Sequence, residues 1–163
     1  MSFILDIYDG SPCKIETLEN SMEIIGIATL GHDPDSGTRY FVQVALIQLE
    51  PFDEGFKNSE LMFDIVENTR MGKITLIGNG LDTKSFLFGS NRRVALDICC
   101  EVTAALLEQR QPDNIMMQTS IRDLPNKALL KYSRLQQTII RCSYQGGKSD
   151  SYYGQHVWMF VKC

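Results

Sequence analysis

The sequence has little with which to hold a metal or staple itself together. Its 163 residues include two histidines, His32 and His156, and five cysteines. Cys13, Cys99, Cys100, Cys142 and Cys163 form no C-x-x-C pair, and no His or Cys pair stands at metal-ligand spacing. Cys99 and Cys100 lie in an apolar helical stretch, where a small buried thiol is the rule. Five reduced thiols and a cytoplasmic setting are therefore expected. No apolar run approaches the ~20 residues of a membrane span. The segment Met1-Ser-Phe-Ile-Leu-Asp6 has no basic stretch ahead of its apolar residues, so no signal peptide is expected. A strong charge of one sign is also missing: 16 basic against 20 acidic residues leave −4, which names no partner.

What is present is ordinary globular material. Apolar residues make up 44% and charged residues 22%, which excludes wholesale disorder and collagen-like structure. A chain this long buries roughly 70% of its unfolded surface, enough for one domain over 1–163. The charge is uneven. Residues 1–90 carry 6 basic and 14 acidic side chains, whereas residues 91–163 carry 10 and 6. A basic second half suits a phosphate-bearing ligand, while the acidic first half makes nucleic acid an unlikely partner.

The first ninety residues read as strands. Phe3 to Tyr8 is a short apolar run. Glu23 to Leu30 is rich in β-branched residues and is expected to close at Gly31. His32-Asp-Pro-Asp-Ser-Gly37 supplies turn chemistry before a second strand, Arg39 to Leu49. Pro51 to Ser59 reads as a loop. Leu61 to Glu67 and Lys73 to Ile77 flank Asn68-Thr-Arg-Met-Gly72 as a second hairpin.

The pattern changes near Ser90, an expected N-cap. Val94, Ile98, Val102, Ala105 and Leu106 keep helical spacing, and Ala95, Cys99 and Leu107 widen the stripe, predicting a buried helix over 91–109. Thr103 falls in the second row, where its hydroxyl can bond back to the Cys99 carbonyl. Pro112-Asp113 ends the helix, and Asn114 to Thr119 reads as a strand. Asp123 caps a second helix over 124–141 with Pro125 in its first turn. Gln145 to Gly154 reads as a loop before a last strand, His156 to Lys162. The expected fold is α+β, a mixed, mostly antiparallel sheet with two main helices.

Familiar motifs fail. Gly147-Lys148-Ser149 ends like a phosphate-binding loop, but its first Gly would fall at Cys142. Gly78-Asn-Gly80 begins a dinucleotide fingerprint whose third Gly position is Thr83. Neither histidine aligns in sequence with a nucleophile. Tyr40-Phe41 and Trp158-Phe160 suit a core better than an RNA platform.

The segment after Ser90 carries a resemblance. Buried helix, strand, second helix and closing strand, with Asn126-Lys-Ala128-Leu-Leu-Lys-Tyr132-Ser-Arg-Leu135, resemble the second half of the GNAT fold of N-acetyltransferases. The nearer likeness is to divergent phage-encoded GNAT-like proteins, over about residues 61–142. It runs through Phe63 to Val66, Gly78-Asn-Gly80, Val94 to Leu107, Pro112-Asp113-Asn114-Ile115 and Lys131 to Leu135. The resemblance implies an acetyl-coenzyme A site at Gly89, Ser90, Asn91, Arg92 and Arg93, and a general-acid role for Tyr132.

The equivalent loop in active family members has several small residues, so that backbone amides reach the coenzyme pyrophosphate. Phe88-Gly89-Ser90-Asn91-Arg92-Arg93-Val94 has one Gly. Weak or absent coenzyme A binding follows as the expectation. Three functions stay open. The first is a non-catalytic GNAT-like protein binding a host or phage protein, with a homodimer possible. The others are an acyl-coenzyme A-dependent N-acyltransferase and a nucleic-acid-associated protein. Tyr144, Tyr152 and Tyr153, around the glycine-rich loop, read as a contact surface.

Overall fold

Three long strands make the frame, and burial along them largely alternates, as it does in sheet strands with one more deeply buried face. They are β3 (Glu23–Asp33), β4 (Thr38–Gln48) and β5 (Asn58–Asn68), antiparallel neighbours in a computed structural model. The structure describes residues 2–7, 13–49, 57–78, 86–87, 89–119, 122, 124 and 126–163. Around the frame lie β1 (Ile4–Leu5), β2 (Ile15–Glu19), β6 (Ile74–Gly78), β7 (Asn114–Gln118), β8 (Tyr144–Lys148) and β9 (Val157–Lys162). The helices are α1 (Ser90–Arg110) and α2 (Leu130–Arg141), the second entered through a 3-10 turn over Asn126–Leu129. The sheet order is β1-β3-β4-β5-β7-β9-β8, with β2 also on β3 and β6 also on β5. All pairings are antiparallel except β5 with β7. The fold is thus α+β with a mixed, mostly antiparallel open sheet.

Side chains opposed across a ladder point to the same side, so Gly26, Val44 and Phe63 share one face and Ile25, Ala45 and Met62 the other. Both helices pack on the first face. A Cβ on Gly26 would come within 2.5 Å of Val102 Cγ1 and 3.2 Å of Leu106 Cδ2, so α1 lies directly on the strand there. Its stripe, including Ile98, Val102, Leu106 and Leu107, is buried as the spacing predicts. Thr103 is fully buried, and its hydroxyl donates to the Cys99 carbonyl at 2.8 Å. From α2, Tyr132, Leu135 and Ile139 complete the core. Phe86 packs on Phe3 (5.4 Å) and Tyr40 (4.5 Å), pinning the approach to α1 onto the sheet.

Several boundaries differ from expectation for identifiable reasons. β3 does not close at Gly31. A bulge between Thr29 and Gly31 lets it continue to Asp33, so His32 lies within the strand, its Nδ1 2.6 Å from the Asp6 carboxylate. The tight turn is Pro34–Gly37, held by Asp33 accepting from the Asp35 amide and the Ser36 hydroxyl. β5 begins at Asn58, inside the expected loop. Ser90 is the first helical residue rather than the N-cap. Gly89 holds that place with φ 58°, and no side chain caps the helix. β2 escaped notice because most of it is exposed and lacks apolar alternation. Residues 145–148 are strand, not loop. Gly146 takes φ 145° in β8 because a Cβ there would run into the Met159 and Phe160 backbone of β9. Tyr144 is core rather than contact surface: it is buried and its hydroxyl donates to the Pro112 carbonyl at 2.7 Å. Tyr152 and Tyr153 are exposed, with their rings edge to face. Asp123, Pro125, Asn79 and Gly80 lie outside the described residues.

All five cysteines are free. No helix among the described residues is long and apolar enough to cross a membrane.

Gly26→Ala tests the docking of α1. The added methyl meets a β-branched side chain that cannot swing aside, so stability should fall by about 1–3 kcal/mol, as overpacking does. Urea denaturation measures it, and an unchanged midpoint would show that α1 stands off the sheet.

Candidate functional site

β4 runs along one edge of β5, so β6 and β7 share the other. β7 pairs with Asn58–Glu60 and β6 with Ile65–Asn68. Leu61 to Asp64 have no strand partner on that edge among the described residues. The gap exists because the parallel pair diverges after three residues, while β7 stays bound to β9 along its whole length. One side-chain bond spans the divergence, from Gln118 Nε2 to Glu60 Oε1 at 3.0 Å. Openings at the carboxyl ends of parallel strands joined by a helix are common ligand positions in α/β sheets.

Tyr132 fills the floor beneath this gap. Its ring stacks on Trp158 (4.6 Å, 11° between planes) and meets Phe63 edge-on at 5.5 Å. Only 2% of the residue is exposed. Burial, with the Asp64 and Cys99 charges adding, pushes its phenol up to about 12. A phenol so enclosed keeps its proton through the neutral range and packs as an aromatic core residue.

Lys131, next on α2, is the group that sequence reasoning passed over. Its Nζ lies 5.5 Å from the Tyr132 ring centroid and 5.7 Å from that of Phe63. Burial and then the Arg92 charge lower its ammonium to about 8, while Cys99 and Asp64 oppose the shift. Asp64 is raised by the same burial, with Lys131 partly offsetting it. Only the neighbouring position of Lys131 beside Tyr132 hinted at this in the sequence.

Among the expected coenzyme residues, the structure brings Arg92 into electrostatic reach of Lys131. Asn91 is half-buried, and Gly89, Ser90 and Arg93 are exposed at the start of α1. That first turn contains no acidic residue and no side-chain cap. Arg92 and Arg93 there oppose the helix dipole, an arrangement an anion would relieve. The arrangement can attract negative charge, and no hydrogen-bonded nucleophile and base pair is seen there among the described residues. His156 Nε2 donates to the Leu124 carbonyl at 3.2 Å, and no described His, Cys, Asp or Glu cluster could hold a metal.

A second feature went unforeseen. The face of the sheet opposite the helices carries Ile25, Ile27, Phe41 and Ile47 half-buried, and no described helix covers it. Met62 and Met159 on that face are 43% and 56% exposed, and Leu18 is 65% exposed. Strand alternation predicts one such face. Sequence does not tell whether a layer covers it.

Comparison with protein-family models, curated proteins and solved structures finds no match to this chain.

The coupling of Arg92 to Lys131 is measurable. Arg92→Ala should raise the pH midpoint at which Lys131 reacts with an acylating reagent, read by mass spectrometry of peptides labelled across a pH series. An unmoved midpoint would show that Arg92 does not act on Lys131. The linkage sign follows. The folded-state value lies below the ordinary 10.5, so between about 8 and 10.5 the unfolded chain binds more protons. The Lys131 contribution to stability therefore rises with pH across that window, and a Lys131→Met variant should lack this rise.

Proposed function

We propose that this chain is a divergent, non-catalytic GNAT-like protein, phage-encoded, acting in the cytoplasm by contact with another protein. The observation that carries the contact reading is the helix-free apolar face of the sheet. Exposed apolar side chains gathered on one sheet face, here Leu18, Met62 and Met159, are the kind of surface that marks an interaction site. The GNAT-like reading is supported by the order of elements: antiparallel hairpins, then α1, β7, α2 and a closing strand pair. The phage relationship rests on the sequence resemblance alone. Five free thiols agree with a reducing compartment.

The non-catalytic reading is supported by Tyr132. General acid work requires the phenol within hydrogen-bond reach of a leaving group and a pKa near the working pH. Here the ring is sandwiched in the core and the proton is held tightly. A single Gly before Asn91 and Arg92 also leaves little room for backbone amides to close on a pyrophosphate.

One observation favours a second reading, an acyl-coenzyme A-dependent N-acyltransferase with a degenerate phosphate loop. Arg92, Arg93 and Lys131 place positive charge beside a gap in the sheet, where a phosphate-bearing ligand would be attracted. Charge without an amide cradle positions a ligand loosely, and loose positioning is poor for acyl transfer.

Thermal unfolding with and without acetyl-coenzyme A separates the two. A ligand at one hundred times its dissociation constant adds about 2.7 kcal/mol to stability. No shift is expected at millimolar ligand. Micromolar binding that Arg92→Ala and Arg93→Ala abolish would make the acyltransferase reading the better one.

A further inference from the structure

We propose that Lys131 is an acylation site, its amine taking the acyl group of an acyl phosphate that Arg92 draws to the gap between β5 and β7. This goes beyond the contact reading and does not depend on it.

Placement is the first support. Among the described side chains, Lys14, Lys57, Lys73, Lys148 and Lys162 are exposed, and Lys131 alone of the lysines is half-buried. Its Nζ is set 5.5 Å from the Tyr132 ring centroid and 5.7 Å from that of Phe63. Phe63 belongs to the stretch of β5 that borders the gap, so the amine is held at its edge. Two rings keep this nitrogen in place, whereas an exposed lysine sweeps through solvent.

The surrounding charges are the second support. Arg92 and Cys99 act on the amine from α1, and Asp64 acts from β5. Burial and then Arg92 lower the ammonium to about 8, against Cys99 and Asp64. Acylation leaves a neutral amide in a place where burial and Arg92 both penalise a cation. Arg92 also serves the donor, because a guanidinium pairs with phosphate oxygens. An acyl phosphate carries its charge on the leaving group, next to the carbonyl. One cation beside the amine therefore orients it, and no cradle of backbone amides is needed.

The step balances without a further reagent. The Nζ lone pair attacks the carbonyl carbon, and the bond from that carbon to the phosphate oxygen breaks. Inorganic phosphate leaves with the electron pair, and the amine proton passes to water.

Timed labelling of the full chain with acetyl phosphate at about pH 7.5, read by mass spectrometry of its peptides, tests this. An amine that titrates near 8 is about one-quarter unprotonated there, against about 0.1% for an ordinary lysine. A less basic amine is also a weaker nucleophile, so Lys131 should be acetylated about tenfold faster than Lys73 or Lys162. Arg92→Gln should slow Lys131 several-fold and leave Lys162 unchanged, while Asp64→Asn should speed Lys131. With p-nitrophenyl acetate, an uncharged donor, Arg92→Gln should slow Lys131 less, because only the basicity of the amine changes. Equal slowing with both donors overturns the role given to Arg92. A chain folded by circular dichroism whose Lys131 is labelled no faster than Lys162 overturns the proposal outright. So does a preference for Lys131 that survives in concentrated urea. Faster labelling of Lys131 by acetyl-coenzyme A than by acetyl phosphate overturns it too, and points to the acyltransferase reading instead.

Discussion

The position of α1 on the sheet governs most of what this molecule is. Val102 and Leu106 press onto β3 at Gly26, the one residue there whose lack of a side chain lets a helix approach so closely. Together with β6, α1 is also the connection from β5 to its parallel neighbour β7. Such crossovers are right-handed almost without exception, because a right-twisted strand feeding a helix packs back onto the sheet only that way. β8 runs parallel to β7 with β9 between them, so α2 is a second crossover advancing in the same direction. Two crossovers of one hand advancing one way place both helices on one face. The face opposite, which no described helix covers, is the geometric consequence.

The same crossover creates the gap beside Leu61 to Asp64. β7 enters parallel to β5, holds it for three residues, and then follows β9 instead. The core residue beneath the gap is Tyr132, which stacks on Trp158 and meets Phe63. Stacking and enclosure serve stability, and burial keeps the phenol protonated near neutral pH. Lys131 sits at the boundary between that core and solvent. Its ammonium lies over the Phe63 and Tyr132 rings and feels both burial and Arg92, which is why its proton is more loosely held than an ordinary lysine's.

Much of this was legible in the amino-acid sequence, because local pattern carries local structure. The stripe from Val94 to Leu107 required a helix, and its bulk required burial on most sides. Glu23 to Leu30, rich in β-branched residues, and Arg39 to Leu49 read as paired strands because an Asp-Pro-Asp-Ser-Gly turn lies between them. The back-bond of Thr103 to Cys99 followed from spacing alone. Tyr132 was legible as a residue of interest on the second helix. Gln145-Gly-Gly-Lys148 was not legible as a strand, because two glycines look like a turn until a neighbouring strand demands their missing Cβ atoms. Ser90 looked like a cap because its type favours that place, yet the chain arrives through Gly89 at a positive φ that a serine would resist.

The sequence by itself determined the class of fold, the identity of the buried helical stripe and the absence of any metal or thiol framework among its motifs. These depend on residue type and period, which are properties of neighbours along the chain. Tertiary structure alone decided that Arg92 acts on Lys131, that Tyr132 is sealed beneath the gap, and that no described helix covers one sheet face. Each of these depends on distances between segments far apart in sequence, set by the handedness of two crossovers and by how closely one helix can approach one glycine.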